Sequence, residues 1–152
     1  MKLNVGDKAP DFSLLSSSGE NVSLSSLKGN KVVLYFYPKD DTPGCTIEAC
    51  EFRDNSTKIQ ANGASVYGIS PDNAESHGSF IDKFDLNFEL LSDEDKSVSI
   101  EYDVWGEKQL YGKTVIGMKR TTFLIDEQGV IQKIWKNVKP EGHAQQILNE
   151  IS

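Results

Sequence analysis

Residues 31–50 read KVVLYFYPKDDTPGCTIEAC. The β-branched and aromatic run through Tyr37 is continuous, the mark of a strand buried on both faces, and it stops at Pro38. A polar loop, KDDTPG, follows, and a helix begins at about Cys45. Ile47, Cys50 (or Glu51) and Ile59 recur at roughly helical spacing, and Gly63 stands where a C-terminal glycine belongs. A buried strand running through a polar loop into a helix belongs to an α/β protein.

Outward from this unit the alternation continues. Upstream, Phe12, Leu14, Val22 and Leu24 alternate about a Ser-Gly turn, which predicts an N-terminal hairpin. Downstream, ASVYGIS (64–70) predicts a second apolar strand, NAESHGSFIDKFDL (73–86) a helix, FELLSD (88–93) a third strand and EDKSVSIEYDV (94–104) a shorter helix. TTFLIDEQGVIQKIWKN (121–137) predicts an antiparallel hairpin across the turn from Asp126 to Gly129, and EGHAQQILNEIS (141–152) an amphipathic helix. Together these predict an α/β fold with a mixed central sheet flanked by helices and an N-terminal hairpin extension. A thioredoxin-like arrangement fits that order, although periodicity alone does not single it out. No linker, repeat or low-complexity tract divides the chain, so residues 1–152 are expected to form a single domain.

The 152 residues carry a formal net charge of −7, with 38% hydrophobic and 26% charged side chains, the balance of a chain that folds around a core. That global field repels phosphate backbones and anionic lipid, so neither a nucleic acid nor a membrane is an expected partner. The N-terminal MKLNVGDKAPDF has no signal-peptide apolar core, and no later run approaches the roughly 18 apolar residues of a spanning helix; the expected location is cytoplasmic. Two cysteines do not make a disulfide scaffold. A close pair in a reducing compartment is more often catalytic, redox-active or metal-binding than structural.

Cys45 stands where a helix begins, and there unpaired N–H groups and the positive end of the helix dipole stabilise a thiolate. Thr42 has a hydroxyl able to donate to that thiolate or accept from a substrate, and Pro43 and Gly44 shape the start of the helix without adding competing side-chain donors. The bland alternative is an inert cysteine on a core helix. Cys50 weighs against it. Five residues apart on an intact helix, the two Cα atoms lie about 8 Å apart, beyond the roughly 7 Å reach of a disulfide, so a bond between them requires the first turns to unwind. The C-x₄-C spacing is not that of a C-x-x-C dithiol oxidoreductase, and two cysteines without a nearby histidine leave a zinc site short of ligands.

Arg53 and Arg120 are the two arginines. Arg120, just before the TTFLID strand, is a candidate charge partner for Cys45 or else a surface residue; Arg53 is expected in a surface ion pair with Asp54 or Glu51. His77 and His143 open a rival reading, a Cys–His acyl-transfer dyad. Both are expected to be exposed, and the dyad leaves Cys50 unexplained.

Pro38, Thr42 and Cys45, in P-x-x-x-T-x-x-C spacing, resemble the peroxidatic motif of the peroxiredoxins. TPGCTIEACEFRD closely resembles the bacterioferritin comigratory protein (PrxQ) branch of that family. The likeness extends over nearly the whole chain: VGDKAPDFSL, VVLYFYPKD, YGISPDN and KRTTFLIDEQGVI match, in order, the N-terminal segment, the strand before the site, the next strand and turn, and the segment carrying the active-site arginine. The resemblance implies a thioredoxin-like fold and a thioredoxin-dependent peroxidase of the atypical 2-Cys kind, reducing hydrogen peroxide and organic hydroperoxides. Position by position it implies that Cys45 is the peroxidatic cysteine, passing through a sulfenic acid, and Cys50 the resolving cysteine. It also gives Thr42 and Arg120 as catalytic partners, Pro38 and Gly44 at the substrate, and an intramolecular Cys45–Cys50 disulfide recycled by thioredoxin. No metal or cofactor is required, and a monomer fits, because an in-chain resolving cysteine needs no second subunit.

Two other classes compete. A thioredoxin-like dithiol–disulfide oxidoreductase shares the tail of the chain, but such reductases usually carry a proline before the TF strand, where this sequence has Arg120 and Thr121. A non-enzymatic redox sensor or chaperone would form the disulfide without sustained turnover.

Overall fold

The computed structural model describes residues 3–152. The chain opens with a hairpin, β1 (Ser13–Ser16) and β2 (Asn21–Ser23), in which Leu14 faces Val22 as the alternation predicts. Then come β3 (Lys31–Phe36), α1 (Pro43–Ala61), β4 (Ala64–Ser70), α2 (Ala74–Phe84), β5 (Glu89–Ser92) and α3 (Ser97–Glu101). After them follow β6 (Trp105–Leu110), β7 (Lys113–Met118), β8 (Thr121–Ile125), β9 (Ile131–Trp135) and α4 (His143–Ile151).

Seven strands form one sheet in the order β2-β1-β5-β4-β3-β8-β9. β3, β4 and β5 run parallel, joined by the crossover helices α1 and α2, while β1, β2, β8 and β9 pair antiparallel. The sheet is therefore mixed, as expected. β3 lies between β4 and β8, and its successive side chains feed opposite faces. Val32, Leu34 and Phe36 join one core with Ile69, Leu91, Tyr102 and Phe123. Val33, Tyr35 and Tyr37 join the other with Cys45, Ala49, Phe52, Phe80 and Ile147.

Helix α1 starts where its residues dictate: Thr42 is extended (φ −93°, ψ 157°), Pro43 takes the first helical position, and Gly63 follows the end at φ +79°. Its buried seam runs through Cys45, Glu48, Ala49, Phe52, Ser56 and Ile59. The expected seam through Ile47 is corrected, since Ile47 is exposed and Cys50 half-buried. The true stripe contains a glutamate and a serine, which an apolar count passes over.

The hairpin β6–β7 has no counterpart among the expected elements. Glu107, Lys108, Gln109 and Lys113 break any apolar alternation, and the two strands pair only with each other through a turn at Tyr111 and Gly112, both at positive φ.

Gly68 is paired with Tyr35 across β3 and β4 and leaves no room for a side chain. A Cβ there would lie 2.8 Å from both Leu90 Cδ2 and Tyr35 Cζ, and Tyr35 is already stacked on Phe52 at 4.7 Å. Gly68→Ala should therefore destabilise the fold by about 1–3 kcal/mol, the usual cost of overpacking. An unchanged midpoint in urea would show that Tyr35 is not held where it is described.

Candidate active site

The β3–β8 register builds the site. Thr121 pairs with Phe36, so Arg120, one residue before β8, falls just beyond the end of β3, where the polar loop and the first turn of α1 lie. There its Nη2 donates to Cys45 Sγ at 3.4 Å, and Nη1 donates to Glu48 Oε1 at 2.7 Å. Cys45 is 1% exposed. Thr46 N–H is bonded to Thr42 carbonyl at 2.8 Å, so the N–H groups of Gly44 and Cys45 precede the first intrahelical partner and stand at the positive end of the dipole.

Gly44 has a steric reason to be glycine. A Cβ there would sit 3.3 Å from Arg120 Nη2 and 3.4 Å from Pro140 Cγ, so the bare backbone lets the guanidinium lie against the helix start. The Thr42 hydroxyl donates to Lys39 carbonyl at 3.0 Å, which engages its hydrogen and leaves its lone pairs free to accept. Pro38 is half-buried at the start of the loop.

Glu48 was not singled out from sequence. It lies one turn after Cys45 and is 1% exposed; Oε1 takes the Arg120 bond and Oε2 has no partner among the described residues. Burial pushes its carboxyl up to about 7, although Arg120 pulls the other way. For Arg120, burial opposes the charge, but Glu48 and Cys45 outweigh it and raise its pKa above the ordinary value. A carboxylate three residues after the cysteine on one helix was the available signal.

A second cation comes from the unanticipated hairpin. Lys108 Nζ donates to Met118 carbonyl at 2.8 Å, and burial, then Arg120, lower its pKa while the Cys45 charge opposes them.

Cys50 is a free, half-buried thiol on the same unbroken helix as Cys45. Arg53 pairs with Asp54 at 3.0 Å, as expected, and also donates to Phe84 carbonyl at 2.6 Å.

The expected exposure of both histidines is overturned. His77 is fully buried, with Nδ1 2.7 Å from Asp40 Oδ2 and Nε2 3.0 Å from Leu91 carbonyl. His143 is buried with Nε2 2.7 Å from Thr122 Oγ1 and Nδ1 2.9 Å from Gln146 Oε1, and desolvation lowers its pKa. Polar partners from distant segments make this burial tolerable, and spacing along one chain does not reveal them. The Cys–His dyad lacks the contact it needs, because among the described residues the Cys45 sulfur bonds to the Arg120 side chain and neither ring reaches it.

The site is thus a buried thiol at a helix N-terminus, facing a fixed guanidinium, with a second thiol further along the helix. Comparison with known proteins agrees with that chemistry. The pattern of the AhpC/TSA family matches residues 5–134. The chain is 50% identical to the putative peroxiredoxin Bcp of Coxiella burnetii over 151 residues, covering 99% of this chain and 100% of that one. With peroxiredoxin Bcp of Escherichia coli it shares 46% identity over 147 residues, 97% of this chain and 94% of that one. Among solved structures, a mutant of PrxQ from Xylella fastidiosa is similar with a TM-score of 0.93 at 37% identity, covering 99% of this chain and 96% of the other. Peroxiredoxin Q of Xanthomonas campestris gives 0.87 at 38% identity, covering 92% and 89%. A thioredoxin-like fold, the site geometry and these relatives agree, and the chain belongs to the AhpC/TSA family, in its Bcp (PrxQ) peroxiredoxin branch.

Proposed function

We propose that this thiol-dependent peroxidase works through a Cys45 sulfenic acid and an in-chain disulfide with Cys50. The observation that carries the reading is the 3.4 Å contact of Arg120 Nη2 with Cys45 Sγ at the start of α1. A permanent cation and free helix N–H groups face the sulfur, where they can stabilise the charge that moves during its reaction.

In the first step the Cys45 thiolate attacks one oxygen of hydrogen peroxide or an organic hydroperoxide, in line with the O–O bond. An S–O bond forms, the O–O bond breaks, and the departing oxygen takes a proton to leave as water or an alcohol, with sulfur oxidised to the sulfenic acid. Negative charge moves from sulfur to the leaving oxygen. Arg120 and the N–H groups of Gly44 and Cys45 lie where they can follow that shift, and the Thr42 oxygen can accept the hydrogen of a bound peroxide. Glu48 acts through Arg120, holding the guanidinium in place, and Pro38 covers the loop side.

In the second step the Cys50 thiol attacks the Cys45 sulfur; an S–S bond forms, the S–O bond breaks, and water leaves. The unbroken helix keeps the thiols apart, so its first turns must unwind for this step. An external dithiol, thioredoxin by resemblance to the family, then reduces the disulfide. Two thiols in one chain complete the cycle in a monomer, and the reading places that cycle in the cytoplasm. Among the described residues no helix is long and apolar enough to cross a membrane.

Peroxide consumption with a thioredoxin system is the test. Cys45→Ser should abolish it, and retained turnover would remove Cys45 from the chemistry. Cys50→Ser should still undergo one fast oxidation, then stall; sustained turnover would show that Cys50 is not the resolving thiol. Arg120→Met should slow the oxidation step by about 10²–10³-fold, the range for deleting one preorganised donor, and an unchanged rate would make Arg120 a bystander. Glu48 gives a pH signature. Its carboxyl holds a proton in the fold up to about pH 7 but releases it near 4.5 when unfolded, so stability falls as pH rises through that window. Relative to Glu48→Gln, the wild type should lose stability on the order of 3 kcal/mol between pH 4.5 and 8 in urea unfolding. Parallel curves for the two proteins would show that burial does not hold that proton.

A further inference from the structure

Behind the loop that leads into α1 lies a set of buried polar groups that the peroxidase chemistry does not use. Asp40 is buried although its neighbours Lys39 and Asp41 are exposed. Its Oδ1 accepts from the Tyr37 hydroxyl at 2.5 Å, and its Oδ2 accepts from the Ser76 hydroxyl at 2.8 Å and lies 2.7 Å from His77 Nδ1. Its backbone N–H donates at 2.8 Å to Asp72 Oδ2, which also accepts from the Ser70 hydroxyl at 2.7 Å. Both ring nitrogens of His77 face oxygens. Nε2–H donates to Leu91 carbonyl, which can only accept, and the hydrogen at Nδ1 is shared with Asp40. The donor atoms of Asp40, Asp72 and His77 lie within 4.8 Å of one another, as a metal site would need, but they are already engaged with each other and with Tyr37, Ser70 and Ser76.

We propose that the Asp40–His77 pair is an anchor that confines the unwinding of α1 to the chain downstream of Asp40, and so holds the Cys45 turn in its folded, peroxide-reactive form. The inference rests on the reading of Cys45 and Cys50 above. Upstream of the anchor, Tyr37 is in the core; downstream, Asp41 sits at φ +57° and its side chain makes an exposed pair with Lys83 at 2.7 Å. The hinge therefore lies at Asp41 and Thr42. Residues 41–45, fully extended, span about 17 Å, enough to carry Cys45 round to Cys50 while Asp40 stays in place. Without the anchor the mobile segment reaches back toward Pro38, and the opened state gains chain entropy that the closed state does not.

As long as the closed form stays in large excess, raising the opened population leaves the closed one almost unchanged. Loss of the anchor should thus separate the two half-reactions. His77→Gln keeps a donor for Leu91 carbonyl but loses the one to Asp40, whereas His77→Asn keeps an amide near the Nδ1 position; Tyr37→Phe deletes only a hydroxyl and leaves the ring packing. Rapid quench with one equivalent of hydrogen peroxide, followed by mass analysis, reads sulfenic acid and disulfide formation; excess peroxide reads the fraction over-oxidised to sulfinic acid. In His77→Gln, disulfide formation should be about threefold or more faster, sulfenic acid formation should stay within about twofold, and less sulfinic acid should accumulate. Tyr37→Phe should show a smaller change of the same sign, and His77→Asn should return toward wild type. Equal disulfide rates and sulfinic fractions in all the proteins, or both steps slowing together as in general loosening, would overturn the anchor while leaving the peroxidase reading intact. A wild type that forms no Cys45–Cys50 disulfide would sink that reading and the anchor with it.

Discussion

Arg120 is one cation shared by two buried acids. Neither a thiolate nor a carboxylate is stable out of water without a partner, and the guanidinium serves both, with one nitrogen on Cys45 and the other on Glu48. The sharing is unequal. With its carboxyl pushed to about 7, Glu48 is protonated part of the time near neutrality and does not fully cancel the charge of Arg120. That leaves field for the sulfur, while the carboxyl still fixes the direction of the guanidinium.

Everything that brings these three groups together follows from the two-faced strand. β3 is buried on both sides, which requires helices over the sheet, and its parallel link to β4 requires a crossover, which is α1. Its antiparallel pairing with β8 sets Arg120 at the level of the helix start. The cation is thus positioned by the strand pairing that begins one residue away, at Thr121, a stiffer support than a loop would give. The hydrogen bonds of Asp40 do the same for the loop on the other side of the cysteine.

Much of this is legible in the sequence. The continuous apolar run of β3, the Pro-Gly start of α1 and the terminal hairpin could be read because each depends on local chemistry or on order along the chain, whereas Arg120 stood between a partner of Cys45 and a surface residue until the family resemblance chose between them. What escaped depends on partners brought in from far away. Glu48 draws no notice until Arg120 is seen to bond it, and His77 reads as exposed until Asp40 and Leu91 enclose it. Ile47 reads as core until the seam turns out to pass through Glu48 and Ser56. The hairpin β6–β7 contributes little to the core, so it left little hydrophobic trace, and Lys108 was hidden with it.

Glu48 also lies between the two cysteines, inside the stretch of α1 that must unwind for them to meet. The opening that the proposed cycle requires would carry this carboxyl from a buried position into water, where it would no longer hold a proton near neutral pH. Such an opening would release a proton, so alkali would draw it forward and acid would hold it back. In the proposed cycle the change of shape would then be coupled to the surrounding acidity through Glu48, a residue given no contact with peroxide or disulfide.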